Sequence, residues 1–533
     1  MAERMTGGEA VVAALLRENV DTVFGIPGVH TLAIYEALWD RQDRLRHIVT
    51  RHEGGGGFMA DGYARASGIP GINLVITGPG VTNSATALGQ AFSDSSPLLM
   101  ISSQNDSRYM DRDMGALHQM KDQLAHTYGC TAWNARINKV SEIPEAIFEA
   151  FDYLRTQRPR PVHLEIPTDV LEMESPVDLG DPREPLFTAA DPAEISVAAR
   201  IMAESERPLI WLGGGAKDAP EEITGLVELL DAAVITTSAG KGVVSEAHPL
   251  SLGNCVRSDI LKEKIEYFDT VLIIGSELGV AETAGGELNL PSEMIWVDLE
   301  PRESKYDYVP TLAIRSDAEL FARALQEELE GTSFPDREPH REFVAKLREE
   351  LQGEYSSALD LEMAGIVADI RNALGPDDVL VADMTTLCYR ASRLYPAYAP
   401  RTYLFPQGFG TLGWSAPAAF GAKLAVPDRK VAAIVGDGGF LFAAQELATA
   451  VKYEISVPVI IPNNEHYGIV AKTMQERYGR SMATDIHNPD YVKYAEAFGA
   501  RGMRLDDSSQ LLAALNEAFE SSGPTLIDLP VEF

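Results

Sequence analysis

Gly436-Asp437-Gly438-Gly439-Phe440, answered 27 residues after its aspartate by Asn463-Asn464, is the stretch that decides the fold. The apolar run Val431-Ala432-Ala433-Ile434-Val435 precedes the first motif, and Val457-Pro458-Val459-Ile460-Ile461 precedes the second. Runs of this length and composition read as buried strands. An α/β sheet that ends two such strands on oxygen-bearing residues can bring Asp437 and Asn464 to one point, where they serve a metal ion and a phosphate group. Gly436, Gly438 and Gly439 allow a tight turn and close backbone approach. Residues 440–453 then read as a helix whose N-terminus faces the phosphate. A Gly-Asp-Gly turn alone is a common strand-to-helix connection; the spacing, the strand context and the Asn pair turn it into a ligand-site expectation.

Outward from this motif, the same rhythm of strand and helix fills the chain. Strands are expected at 23–25, 73–77, 98–102 and 162–167, then at 208–212, 233–237, 270–275 and 294–298, and last at 525–529. Alternation of this kind implies mostly parallel sheets covered on both faces. The fold class is therefore α/β, with three doubly wound, mostly parallel-sheet domains at 1–175, 191–345 and 358–533. A Pro-, Asp- and Glu-rich stretch at about 172–190 reads as a linker, and a charged helical stretch at about 337–353 leads into the third block. The first and third blocks match in size and style without a strong internal repeat.

Composition narrows the function classes. With 79 acidic against 45 basic side chains, the net charge of −34 argues against nucleic acid and against anionic membrane surfaces. The acidity fits either a soluble surface from a GC-rich genome or adaptation to high salt. No apolar run approaches the ~18–20 residues that span a bilayer. Cys130, Cys255 and Cys388 are scattered and odd in number, with neither metal nor disulfide spacing. Together with an N-terminus lacking a secretory pattern, this leads to a cytoplasmic expectation.

The Gly436–Asn464 pattern resembles the diphosphate-binding motif of thiamine diphosphate (ThDP) enzymes. The likeness covers nearly the whole chain, to the acetolactate synthase, pyruvate oxidase and 2-oxo acid decarboxylase superfamily. It implies a pyrimidine-binding N-terminal domain, a central domain and a diphosphate-binding C-terminal domain. It also implies a homodimer or homotetramer with active sites at the subunit interface. Asp437, Asn464 and the backbone carbonyl of His466 then correspond to the Mg²⁺ ligands, alongside cofactor diphosphate oxygens. Arg51-His52-Glu53, with the glycines and the Ala60-Asp61-Gly62-Tyr63-Ala64-Arg65 helix that follow, resembles the catalytic Glu segment. Glu53 there stabilises the tautomer of the cofactor that removes its own C2 proton and yields an ylide. The segment from Thr77 to Asn83 resembles the loop lining the aminopyrimidine pocket. Leu412 matches the residue that bends the cofactor, and Gly410 the carbonyl that holds its amino group.

Specificity is expected from Leu117-His118-Gln119. Synthases carry Phe-Gln at this place and pyruvate decarboxylases two successive His, so His118 matches one pattern and Gln119 the other. A His beside the reacting carbon can move a proton at neutral pH, which makes His118 and Gln119 catalytic candidates; Gln123 is a weaker one. Leu117-His118 also resembles bacterial decarboxylases of larger 2-oxo acids, including guanidino-substituted ones. The resemblance implies ThDP- and Mg²⁺-dependent decarboxylation of a small-molecule 2-oxo acid through an enamine, releasing an aldehyde. The alternative is a synthase-like carboligase, with FAD as an optional companion. Gly213-Gly214-Gly215 either faces such a nucleotide or is an ordinary strand-end turn.

Overall fold

The computed structural model describes residues 2–110, 112–302, 308–354 and 357–532. Its contacts divide into two compact units. The first holds residues 1–185, 380–386 and 406–533, and the second 186–379 and 387–405. Three doubly wound, mostly parallel sheets carry the fold, as the strand and helix alternation implies.

In the first unit, one sheet runs in the order Arg46–Val49, Thr22–Gly25, Gly71–Val75, Leu98–Gln104, Val162–Pro167, Trp133–Arg136, all pairings parallel. In the sheet of the C-terminal region, Val379–Ala382, Val431–Ile434, Pro458–Asn463, Thr525–Pro530 and Arg501–Arg504 succeed one another. From Val431 onward these pairings are parallel. The succession matches that of the five strands beginning at Thr22–Gly25: three in chain order, then two exchanged. The likeness between the two ends of the chain is thus one of topology, carried without sequence repetition.

The apolar strands lie where their composition places them, and Val431–Ile434 is buried throughout. Of the strands that escape sequence reading, Val379–Ala382 is apolar and buried, and two others are short and polar. Arg501–Arg504 and Trp133–Arg136 lie at sheet edges with no fully buried residue. Part of the expected linker is also a strand: Glu174–Val177 pairs antiparallel with Glu3–Thr6. The helix expected at 440–453 is broken. Asp437–Phe440 forms one turn, Ala444–Glu446 a 3₁₀ turn, and Leu447–Lys452 a second short helix.

The helix Glu53–Ser67 is buried at every position from Gly54 to Ala66. A helix apolar or small on all sides belongs in a core. Its glycines permit backbone contact with the helix Ser415–Ala425, for a Cβ on Gly62 would lie 2.0 Å from the Ala418 carbonyl oxygen. A buried polar cluster locks the same helix: Arg65 pairs with Asp61 and Asp94, each at 2.9 Å, and Trp414 Nε1 donates to Asp61 Oδ2 at 2.7 Å. Each buried charge there has a partner, which keeps the cluster from being destabilising.

The second unit holds a five-stranded parallel sheet in the order Ala233–Thr236, Pro208–Leu212, Thr270–Ile274, Glu293–Asp298, Leu312–Arg315. Val344, Leu347 and Leu351 of the helix Glu338–Gln352 join its core, so this charged helix buries one apolar stripe. Gly213 and Gly215 pack on backbone: a Cβ on Gly213 would meet the Gly275 carbonyl oxygen at 2.2 Å. Gly213 N–H and Gly215 N–H donate to the carbonyls of Ile274 and Gly275. The glycine run is thereby used by the neighbouring strand-end loop.

Candidate active site

The strand Val431–Ile434 delivers Asp437 to the end of its sheet, and Pro458–Asn463 delivers Asn464 beside it. The Asp437 carboxylate is 3% exposed. Its Oδ2 accepts from Asn464 N–H at 3.2 Å, Glu465 N–H at 2.7 Å and Asn488 Nδ2 at 2.8 Å. Its Oδ1 accepts from Gly438 N–H at 2.8 Å. The carboxylate therefore gathers both strand-end loops, and Glu465 takes a positive φ of 57° to complete the turn. Asn464 Oδ1 accepts from His466 N–H at 3.1 Å, and the His466 ring bridges Asn464 O and Asp485 Oδ1. The five residues Gly436, Asp437, Gly438, Asn464 and His466 are thus one cluster. Gly439 belongs to it through Gly413, whose N–H would lie 3.3 Å from a Cβ on Gly439.

Asp383 and Asn488 were not foreseen from sequence. Asp383, 1% exposed, accepts from the N–H groups of Met384, Gly413 and Ser415, and burial raises its carboxyl above the usual range. It fixes the chain that follows Gly410 and Leu412. Gly410 takes a φ of +70°, and a Cβ there would approach only Met384 Cε, at 3.4 Å. Leu412 is half-buried rather than part of the packed core. Asp383 directly follows an apolar strand, a signal of the same kind as that of Asp437, whereas Asn488 carries no such mark.

Glu53 opens its helix, with His52 as the cap that accepts from Gly54 N–H. Glu53 Oε2 accepts from Asn83 Nδ2 at 2.9 Å, so the structure joins two of the sequence candidates directly. Glu446, fully buried, accepts from the N–H groups of Arg51 and His52 at 3.1 and 2.9 Å and from Thr449 Oγ1 at 2.7 Å. Burial raises its carboxyl. Sequence reasoning missed it, because its partners lie almost 400 residues away.

Thr77 is buried, with its hydroxyl bound to Gln104 Oε1 at 3.1 Å and Gln123 Oε1 at 2.8 Å. Gln123 is fully buried and also donates to Ser102 Oγ and Glu165 Oε2, and accepts from Gly78 N–H. It anchors the loop that follows Thr77. His118 takes a φ of 63°, and a Cβ on Gly78 would lie 2.4 Å from its carbonyl oxygen. The His118 and His30 rings stand 5.3 Å apart, and burial, then the charge of His118, lowers the His30 pKa. Gln119 is engaged at both ends of its amide, accepting from Ala116 N–H and donating to Arg112 O. It holds its own loop. A cavity of about 430 Å³ opens beside this loop, lined by His30, Asn105, Asp106, Tyr109, Leu117 and Thr168 among others.

The donor set suits a hard cation shared with a phosphate. One buried carboxylate, a neighbouring amide oxygen and exposed backbone at His466 are the oxygen ligands that Mg²⁺ takes when phosphates complete its shell. Among the described residues, no group of three or more His, Cys, Asp and Glu side chains forms an all-side-chain metal site. No helix among them is long and apolar enough to cross a membrane.

Comparison with known proteins agrees with this layout. The N-terminal TPP binding domain of thiamine pyrophosphate enzymes matches residues 5–126, the central domain 195–325 and the C-terminal TPP binding domain 383–529. A protein named probable 2-ketoarginine decarboxylase, from Pseudomonas aeruginosa, is 40% identical over 98% of this chain and 94% of its own length. A probable acetolactate synthase large subunit from Methanocaldococcus jannaschii is 33% identical, over 99% of this chain and 92% of its own. The acetolactate synthase isozyme 1 large subunit of Escherichia coli is 31% identical, over 99% and 94%.

Proposed function

Because the chain belongs to the thiamine pyrophosphate enzyme family, we propose that it decarboxylates a 2-oxo acid with ThDP and Mg²⁺ and releases an aldehyde. The observation that carries this reading is His118, an imidazole held beside His30 on the loop next to the cavity. The 40% identity to a protein named for decarboxylation supports it.

Asp437, Asn464 and the His466 carbonyl would hold Mg²⁺ beside the diphosphate, and Gly436, Gly438 and Gly439 would allow the phosphate close to backbone. Gly410 and Leu412 would seat the rest of the cofactor, with Asp383 fixing their loop. Bound there, ThDP supplies the electron sink for loss of CO₂. Glu53 keeps and returns a proton: Asn83 occupies Oε2, which leaves Oε1 to carry it. Glu446 holds the backbone that leads into Glu53. Thr77 shapes the pocket from behind. His118 would supply the proton that the aldehyde product gains, and Gln119 keeps its loop in shape.

The active unit in this reading is a homodimer or homotetramer with shared sites. The helix Gly468–Tyr478, just past the metal residues, has no buried residue, and Ile469 and Val470 are 40% and 49% exposed. Apolar side chains so placed suit cover by a second copy. Sedimentation of active enzyme as a monomer would contradict this.

A carboligase is the second reading, favoured by the acetolactate synthases at 31–33% identity. A panel of 2-oxo acids decides between the two. CO₂ matched by aldehyde supports decarboxylation, CO₂ matched by a ligated product supports the carboligase, and no CO₂ from any of them refutes both. A yellow protein absorbing at flavin wavelengths would add FAD; the backbone packing of the central glycine run speaks against that run as its seat.

A further inference from the structure

The cavity beside His118 has a polar rim that already holds a guanidinium. Asp106 and Tyr109 line it, with His30, Asn105 and Leu117. The Arg108 guanidinium pairs with the rim carboxylate, donating from Nε to Asp106 Oδ1 at 2.9 Å and from Nη2 to Asp106 Oδ2 at 2.7 Å. The same guanidinium sits over the Tyr109 ring, 5.5 Å from its centre. A two-pronged carboxylate and an aromatic face are the two groups that best recognise a planar cation.

The loop is fixed where it matters and loose where it need not be. Ser107 N–H and Oγ both bond to Asp169 Oδ1 at 3.0 Å, next to the cavity residue Thr168. Asn105 Nδ2 ties the strand end to Leu117 O at 2.7 Å, one residue before His118. The Asp106 side chain is only 18% exposed, whereas that of Arg108 is 76% exposed. An ion pair with one partner so far in solvent contributes little to stability, so a second cation can displace it at small cost. His30 also lines the cavity, and its ring stands 5.3 Å from that of His118.

We infer that Asp106 and Tyr109 are specificity-determining residues for a 2-oxo acid with a guanidinium tail, and that the Arg108 side chain is the built-in competitor which the substrate displaces. The inference rests on the decarboxylase reading above and names its substrate class.

The test compares the holoenzyme, its Asp106→Asn variant and its Arg108→Gln variant on three substrates. These are 5-guanidino-2-oxopentanoate, its neutral isostere 5-ureido-2-oxopentanoate, and 2-oxohexanoate. Asp106→Asn should lower kcat/KM for the guanidino acid by about 10–100-fold, the range for loss of a charged hydrogen bond, and change the two neutral acids by less than about 3-fold. Arg108→Gln should raise kcat/KM for the guanidino acid, chiefly through a lower KM. Isothermal titration with 5-guanidinopentanoate, which has no oxo group to react, gives an activity-free readout: binding that Asp106→Asn weakens by the same factor. Equal losses on charged and neutral substrates would make the pair a structural clip and overturn the inference, as would a wild-type preference for the ureido acid. CO₂ from neutral 2-oxo acids without guanidino selectivity sinks this inference alone, whereas no CO₂ from any 2-oxo acid sinks the decarboxylase reading.

Discussion

Two glycine runs at the ends of parallel strands read alike in sequence and do different work. Residues 213–215 follow the strand Pro208–Leu212, and 436–439 follow Val431–Ile434. In the first, Gly213 and Gly215 meet backbone of the adjacent strand-end loop, and these glycines let two loops lie in contact. In the second, the glycines flank a buried carboxylate that gathers N–H groups from two loops. A Cβ on Gly438 would meet the Tyr467 ring at 2.6 Å, a side chain, where one on Gly213 meets a carbonyl oxygen at 2.2 Å. Glycine at a strand end therefore marks close approach in both places. At the first run the protein's own backbone makes that approach; in the proposed function a ligand makes it at the second, beside Asp437.

The contrast breaks most directly at Asp437. Asp437→Asn should cost on the order of 10³-fold or more in turnover, because a metal clamp supplies several kcal/mol of stabilisation. ThDP titration in the presence of Mg²⁺ should show weakened binding in parallel. Near-normal turnover would remove this turn from the site. Glu53→Gln comes next, with a fall of about 10²–10³-fold in kcat and cofactor affinity mostly kept; a variant of normal activity would dismiss Glu53 as the proton carrier.

The glycines themselves sharpen the comparison. Gly213→Ala should destabilise the chain by about 1–3 kcal/mol, since a backbone carbonyl must move to admit the methyl group. Its thermal unfolding should shift while turnover per folded molecule holds. Gly438→Ala should show the reverse, a small thermal shift with weaker ThDP·Mg²⁺ binding, as Tyr467 can rotate away. Matching behaviour in the two variants would erase the distinction.

The smallest effect concerns Glu446. Burial outweighs its hydrogen bonds and raises its folded carboxyl above the ordinary value of 4.5. A raised carboxyl contributes stability that is fully present below 4.5 and is lost as pH rises through the folded value. Glu446→Gln should therefore flatten the decline of the unfolding temperature over that interval, read by calorimetry at a series of pH values. Asp383 and Glu165 are raised in the same direction, so the flattening is partial.

The chain's own order of residues determined the α/β class, the cofactor family and the pairing of Asp437 with Asn464. Each rests on local information: an apolar run of strand length, glycines, and an oxygen-bearing residue at a set distance. The edge strands Trp133–Arg136 and Arg501–Arg504 stayed hidden because a half-exposed strand lacks the apolar run that announces a buried one. The helix expected from Phe440 to Tyr453 breaks at Ala443, whose φ of −139° leaves the helical region between the turn Asp437–Phe440 and the helix Leu447–Lys452. Only the tertiary structure brought Glu446 to the backbone before Glu53, Gln123 to Thr77, and Asp106 with its guanidinium to the cavity beside His118. Those contacts join groups between two and almost 400 positions apart, and spacing along the chain carries no record of which side chains folding will turn toward one another.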